Sequence, residues 1–222
     1  MTALALFATS GALAEPQQPH WSNAFVSRVE LLALLQTLNA NLLASRSATA
    51  TLEKWCADHN MAAEPRLIAR RVEGAEKPAS PETRQHLMIG QDEPLKYRHV
   101  RLSCGDHVLS EADNWYAPGR LPEEANLLLE TTDTPFGKAV QALKPFRRTI
   151  EVRILWSPLP QGWETKSSDA LAEASNEIRD VSIPHEIFEH KAILYSADQK
   201  PFSEVDETYT SEIFSFEIKA RP

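Results

Sequence analysis

The chain has 222 residues, 42% of them hydrophobic, and a formal net charge of −8. This length and composition are enough for one ordinary domain with its own core. An acidic surface argues against nucleic acid or an anionic membrane as a partner, so a small anionic ligand would need a local positive pocket.

The first 14 residues, MTALALFATSGALA, have the features of a signal peptide. They carry no charged side chain, and Ala12-Leu13-Ala14 forms the small-x-small pattern of a cleavage site. No segment of the chain reaches the roughly 18 to 20 continuous apolar residues that a membrane helix needs. We therefore expect residues 15–222 to form a single domain that is exported, to the periplasm in a bacterium. A buried N-terminal helix and a cytoplasmic location are the alternatives.

Helices are predicted first along the chain. Apolar residues at helical spacing predict helices over Phe25–Leu43 and Ala48–His59, followed by a strand over residues 66–72 and a solvated loop over Glu73–Glu82. The two cysteines, Cys56 and Cys104, lie outside any CxxC or Cys/His cluster. In an exported protein they could form a disulfide, or they could be two buried thiols.

Strands dominate the rest of the chain. A period-two pattern predicts a hairpin of residues 97–102 and 107–117 around Gly105-Asp106, and a last hairpin of Glu186–Ser196 and Phe202–Ile218 joined at Asp198-Gln199. Between them we expect helices over Pro122–Leu129 and Pro135–Leu143, a strand over Phe146–Trp156, and a long excursion with at most one short helix near Ala170–Ile178. Helices segregated from a mostly antiparallel sheet predict an α+β fold.

Arg98 and Glu207 stand out because each shares a strand face with apolar residues. Arg98 alternates with Val100 and Leu102, so on a core-facing side its guanidinium would be desolvated and would need an anionic partner. Glu207 alternates with Val205 and Tyr209, and an apolar wall would raise its pKa and suit it to proton transfer. Alternatively, the two side chains simply pair with each other, or the strand faces are inverted.

The stretch from Glu111 to Gly137 combines a strand end rich in polar and aromatic side chains with a helix start. Thr134 is predicted to be an N-cap followed by Pro135 in the first turn, which would present free N–H groups to an anion. The alternative is a purely structural cap. Trp115 and Tyr116 could stack on a ligand, although aromatic residues at a strand end more often belong to the core.

Motifs for other chemistries are absent from the sequence. His185 and His190 do not follow the HExxH order, Ser110 and Ser203 have no GxSxG context, and no glycine-rich phosphate loop is present. We expect neither a metal ion nor a cofactor.

A set of short motifs resembles the chorismate lyase family. The order is Tyr97 to Leu102, then Tyr116-Ala117-Pro118, then Thr134-Pro135-Phe136-Gly137, then Lys200-Pro201 followed by Glu207-Thr208-Tyr209. The same superfamily includes the UTRA effector-binding domains of bacterial transcription regulators. The resemblance implies a six-stranded antiparallel sheet flanked by helices, with an enclosed site that converts chorismate to 4-hydroxybenzoate and pyruvate without metal or cofactor.

The resemblance also implies roles for individual residues. Arg98 would hold the substrate carboxylate, and Glu207 would lie near the ring hydroxyl and the departing enolpyruvyl ether. The remaining ligand contacts would come from a wider set: Asn114, Trp115, Tyr116, Thr134, Phe136, Gly137 and Tyr209. Asn114 stands where the lyases carry a second arginine. The chain is also one residue longer between Pro201 and Glu207, which implies a bulge or a register in which Asp206 is the matching acid.

Two functions follow as hypotheses. The first is a cofactor-independent, chorismate lyase-like enzyme with Arg98 and Glu207 as catalytic residues. The second is a non-catalytic exported protein that binds a small anionic aromatic or carboxylated ligand in the same cavity.

Overall fold

The computed structural model describes residues 21–74, 76–90, 92–166 and 180–216. The proposed signal peptide and the predicted helix near Ala170–Ile178 lie outside these residues. Within them, the helices are α1 (Phe25–Ala44), α2 (Ala48–Asp58), α3 (Pro81–His86), α4 (Glu123–Thr131) and α5 (Phe136–Ala139), with short 3₁₀ turns at Pro118–Arg120, Gln141–Leu143, Trp163–Thr165 and Ser211–Phe214. No described helix is long and apolar enough to cross a membrane.

Six antiparallel strands form one sheet. They are β1 (Leu67–Arg71), β2 (Lys96–Cys104), β3 (His107–Tyr116), β4 (Phe146–Ile154), β5 (Glu186–Tyr195) and β6 (Pro201–Thr210), in the spatial order β1-β2-β3-β6-β5-β4. Both predicted hairpins, β2–β3 and β5–β6, are present, and β3 and β6 join them at the centre of the sheet. The predicted α+β class is confirmed.

The two faces of the sheet differ. Val100, Ala112 and Val205 occupy the inner face, against which α1, α2 and α5 pack. α1 presents Leu31, Leu35, Leu38 and Leu42, spaced three or four residues apart and fully buried, because that spacing places them on one side of a helix. Successive residues of a strand point to opposite faces of the sheet. The outer face accordingly carries Tyr97, His99, Asp113, Lys191 and Asp206.

Cys56 and Cys104 form a disulfide with a Cα–Cα distance of 6.4 Å. The bond joins α2 to the end of β2, and both cysteines are fully buried. Of the two readings that the sequence left open, the structure has the disulfide.

Several predicted boundaries are wrong. The helix predicted over Pro135–Leu143 is α5 over Phe136–Ala139 followed by a 3₁₀ turn, and the strand predicted over Phe146–Trp156 ends at Ile154. The solvated loop over Glu73–Glu82 runs into α3, which Ser80 starts by accepting a hydrogen bond from the Thr83 N–H and which Pro81 continues in the first turn. The last strand ends at Thr210 rather than Ile218, because the Thr210 side chain accepts from the Glu212 N–H and the chain turns into a 3₁₀ helix.

Candidate functional site

A small cavity of about 60 Å³ lies between the inner face of the sheet and the start of α2. All six strands contribute residues to its floor, and α2 and α5 form its walls. The polar and charged side chains that line it are Arg46, Ser47, Thr49, Arg98, Asn114, Arg147 and Glu207. The cavity therefore brings together Arg98 and Glu207, the two residues that the sequence singled out.

Arg98 is only 3% exposed, as its alternation with Val100 and Leu102 predicts. Both Nη atoms donate to the Thr134 carbonyl oxygen at 3.3 Å, and Nε has no hydrogen-bond partner among the described residues. Burial and the nearby Arg71 lower the pKa of Arg98 to about 10, so the guanidinium stays charged at neutral pH. Arg98 makes no ion pair within the described part of the chain. A buried cation without a counter-ion costs several kcal/mol.

Arg147 is a second buried arginine, which the sequence reasoning missed. Its side chain is 3% exposed, and its Nη2 pairs with Oε2 of Glu207 at 2.6 Å. Its Nε and Nη1 have no hydrogen-bond partner among the described residues. The signal was available: Arg147 and Arg148 are adjacent on a strand, so their side chains point to opposite faces and one must face inward.

Glu207 is held by two partners rather than by an apolar wall alone. Besides Arg147, its Oε2 accepts a hydrogen bond from the Tyr209 hydroxyl at 2.8 Å. The proposed pairing of Arg98 with Glu207 is wrong, because Arg147 takes that place. Glu207 is therefore held by Arg147 and Tyr209, and Arg98 has no carboxylate partner among the described residues.

The sequence predicts either a bulge before Glu207 or Asp206 as the matching acid, and β6 has a bulge against β5 in this part of the strand. Leu194 of β5 lies opposite Ser203 and Tyr195 lies opposite Pro201, so Phe202 is the additional residue. The other expectation, with Asp206 as the matching acid, is wrong. Asp206 points into a groove on the outer face, whereas Glu207 lines the cavity.

Asn114, Phe136 and Gly137 also line the cavity. Asn114 lies opposite Arg98 on the neighbouring strand, and its Oδ1 accepts from the Ser203 hydroxyl at 2.8 Å. At Gly137 a Cβ atom would lie 3.0 Å from Thr49 Oγ1 and 3.3 Å from Ser47 Oγ. The glycine therefore lets α5 approach the start of α2.

The remaining predicted contacts lie outside the cavity lining. Trp115 lies on the outer face, where its Nε1 donates to the Lys77 carbonyl. Tyr116 packs on Phe136 with ring centroids 5.5 Å apart, and Tyr209 is fully buried behind Glu207.

Thr134 is not an N-cap, which corrects that prediction. Pro135 is the cap residue of α5, and the Thr134 hydroxyl bonds to Thr132 instead. α5 has four residues and offers no helix-terminal anion site. It is the backbone carbonyl of Thr134 that contacts Arg98.

The start of α2 connects the cavity to a surface groove of about 490 Å³. Cavity and groove share Arg46, Ser47, Thr49, Gly137 and Pro145, so the groove lies at the mouth of the cavity. The first amides of a helix have no intrahelical acceptor. In α2 the Ser47 hydroxyl accepts from the Ala50 N–H at 3.2 Å, and the amides of Ala48 and Thr49 lie beside this mouth. Arg46, Lys138 and Lys144 give the groove a net positive charge, although Lys138 is paired with Glu53, which also lines the groove. The site favours an anion electrostatically.

A second groove, of about 420 Å³, runs over the outer face. It carries His99, Asp113 and Asp206 together with other acidic side chains. Among the described residues, no three histidine, cysteine or acidic side chains are arranged to hold a metal ion.

Comparison with known sequences shows which family the chain belongs to. No protein-family model matches it. The chain is 46% identical over 200 residues to the uncharacterized protein y4mC of Sinorhizobium fredii, a match that covers 90% of this chain and 83% of y4mC. The chain belongs to the same family as y4mC.

The solved structures with a similar arrangement of elements include transcriptional regulators. PhnF from Mycobacterium smegmatis matches with a TM-score of 0.46 and 12% identity, over 81% of this chain and 70% of PhnF. The possible transcriptional regulator YydK from Bacillus subtilis matches with a TM-score of 0.41 and 16% identity, over 70% of this chain and 62% of YydK. At these TM-scores the similarity is too weak to bear on function.

Proposed function

We propose that the protein binds a small ligand through a carboxylate or similar anionic group in the cavity beside Arg98. The observation that carries this proposal is the buried, charged guanidinium of Arg98, which has no anionic partner among the described residues. Counting Arg98 and Arg147 against Glu207, the buried lining has one excess positive charge. An anionic ligand would neutralise it and satisfy the unpaired N–H groups.

The size of the cavity limits how the ligand enters. Ligand pockets usually measure about 300 to 1,000 Å³, well above the 60 Å³ of this cavity. The anionic group alone fits the space beside Arg98, so the rest of the ligand must occupy the mouth, or α5 must move away from α2. Either route passes Gly137, where the two helices are closest.

Binding can be tested with benzoate and 4-hydroxybenzoate by isothermal titration calorimetry. We expect Arg98→Met to weaken binding by about tenfold to a hundredfold, because a charge-assisted hydrogen bond contributes about 1.5 to 3 kcal/mol. Arg101→Met is the matched control: Arg101 lies on the same strand but on the outer face, paired with Glu111 at 3.0 Å. Equal affinity in wild type and Arg98→Met would contradict the proposal.

Chorismate lyase activity is the second candidate. Arg98 and Glu207 line one cavity, which is the arrangement that the resemblance to the lyases implies. Arg147 adds a second cation from β4, although Asn114 occupies the position of the lyases' second arginine. Elimination of pyruvate needs orientation and proton transfer more than a strong nucleophile, and these residues offer both.

The enzymatic candidate can be tested by incubating the purified protein with chorismate and measuring 4-hydroxybenzoate and pyruvate. We expect Glu207→Gln to abolish any activity, since it removes the proton acceptor. Binding of 4-hydroxybenzoate without product formation would exclude the lyase and support the binding protein.

Export remains part of the proposal. The sequence of residues 1–14 supports it, and so does the Cys56–Cys104 disulfide, because disulfides persist mainly in oxidising compartments. Fractionation of the native host tests it: recovery in the cytoplasm with an intact Met1 would contradict export.

A further inference from the structure

Strand β4 forms an edge of the sheet with apolar side chains in contact with solvent. Ile150, Val152 and Ile154 are 40%, 38% and 44% exposed, and the adjoining Leu155 is 38% exposed. Within the described ranges, β5 is the only strand that pairs with β4. A long apolar edge strand is a template for pairing with another strand.

The opposite edge of the sheet is protected. β1 has only five residues, and its outer side is bonded to the chain that follows α4, since the Ala69 N–H donates to the Asp133 carbonyl at 2.9 Å. The nine-residue β4 has a register shift between Thr149 and Glu151, and the part after it pairs regularly with β5. The regular part is Glu151-Val152-Arg153-Ile154.

We propose that β4 pairs antiparallel with β4 of a second copy of this chain, about a two-fold axis at Val152. In this register Val152 lies opposite its own copy, and Glu151 lies opposite Arg153 of the partner subunit. The two-fold axis repeats the pairing of Glu151 with Arg153 of the partner subunit, so the dimer gains two opposite-charge cross-strand pairs. Such pairs stabilise a sheet, whereas like charges placed opposite each other destabilise it.

The charges select this register over its neighbours. A shift by two residues, which keeps the same strand faces together, centres the pairing on Glu151 or on Arg153. The first alternative places two glutamates opposite each other, and the second places two arginines opposite each other. Only the register centred on Val152 is self-complementary, as a two-fold interface requires.

Both charged side chains are accessible for this pairing. Glu151 is exposed, and Arg153 has 60% of its side chain exposed while it contacts Glu189 of its own chain at 2.9 Å. Pairing would join two six-stranded sheets into one continuous sheet. The inner faces of both copies would lie on the same side, which leaves both cavities open to their ligands.

Size-exclusion chromatography with light scattering over a range of concentrations tests the dimer. We expect the wild type to have the mass of two chains, and Glu151→Arg to raise the dissociation constant by about tenfold, because it places like charges opposite each other twice. The double variant Glu151→Arg/Arg153→Glu should restore dimerisation, since it exchanges the charges and keeps the register complementary.

Val152→Lys provides a second test, because it places two lysines at the two-fold axis, and we expect it to be monomeric. Leu127→Lys is its control: Leu127 is a 60% exposed apolar residue on α4, away from the edge. Circular dichroism and the denaturation midpoint show whether each variant is folded. A monomeric wild type, a dimer insensitive to both Glu151→Arg and Val152→Lys, or a double variant that stays as weak as Glu151→Arg would overturn the proposal.

Discussion

Single charged residues in this protein respond to burial in different ways. Arg98 keeps its charge on the inner face, whereas Asp206 on the outer face has a pKa raised to about 6, chiefly by burial and further by the carboxylates of Glu204, Asp113 and Glu151. Its Oδ1 is buried without a hydrogen-bond partner among the described residues, and Lys191 lies 3.8 Å away. Asp206 therefore destabilises the fold when it is ionised.

The variant Asp206→Asn should stabilise the protein above pH 6. A carboxyl whose pKa is raised by folding contributes stability at low pH, and this contribution is lost as the pH rises through about 6. We expect the free energy of unfolding to rise by about 1 kcal/mol at pH 8 and by less at pH 5. This figure is smaller than the pKa shift alone implies, because 40% of the Asp206 side chain is exposed and solvent screens its charge. Burial lowers the pKa of His190 to about 4, so this residue makes the free energy of unfolding rise with pH. The effect is the same in the wild type and in Asp206→Asn, and it cancels in their difference.

Urea denaturation at pH 5 and pH 8 measures this difference. Asp106→Asn, in the exposed β2–β3 turn, is the control and should show no comparable gain. A gain that is the same at both pH values would show that ionisation of Asp206 is not its cause.

At the scale of elements, α2 connects the cavity to the disulfide. Its first residues, Ser47 to Thr49, line the cavity, and Cys56 near its other end is bonded to Cys104 of β2, the strand that carries Arg98. The disulfide thus ties a wall of the site to its floor. Loosening it should affect both stability and binding.

Replacing both cysteines by alanine should lower the free energy of unfolding by about 4 kcal/mol, the loop-entropy value for the 48-residue separation of Cys56 and Cys104. Guanidinium denaturation with and without dithiothreitol measures the effect. The reductant should shift the midpoint of the wild type and leave the double variant unchanged. An unshifted wild-type midpoint under conditions that reduce the bond would contradict the prediction.

Local pattern predicted most elements, and its failures have local causes. The apolar spacing of α1 and the alternation in β2 are strong periodic signals, and both elements lie where they were expected. The sequence does not predict α3, because the composition of this segment, rich in Pro, Lys and Glu, is typical of a loop and obscures the Ser80-Pro81 start signal. The opposite error occurs at Thr134-Pro135. This pair resembles a helix start, but the Thr134 hydroxyl bonds to Thr132 and does not cap the helix.

At the scale of the whole molecule, the sequence alone could not supply the strand order or the complete cavity. The central β3–β6 pair joins residues far apart in the chain, such as Ser110 and Tyr209, and nothing in either strand specifies that pairing. Arg98 and Glu207 were found because each conflicts with its own strand face. The Arg147-Arg148 pair indicates that one arginine faces inward, but only tertiary packing shows that Arg147 and the start of α2 line the same cavity.

The two buried arginines of the cavity, Arg98 and Arg147, lie on strands either side of the central β3–β6 pair. Arg98 belongs to the half of the sheet that contains the β2–β3 hairpin, and Arg147 to the half that contains the β5–β6 hairpin. Each hairpin can close by itself, whereas the β3–β6 pairing must wait for contacts of high sequence separation. We therefore expect the two guanidinium groups to stay hydrated in separate halves of the chain until the sheet closes, so that the cost of burying both is incurred late in folding.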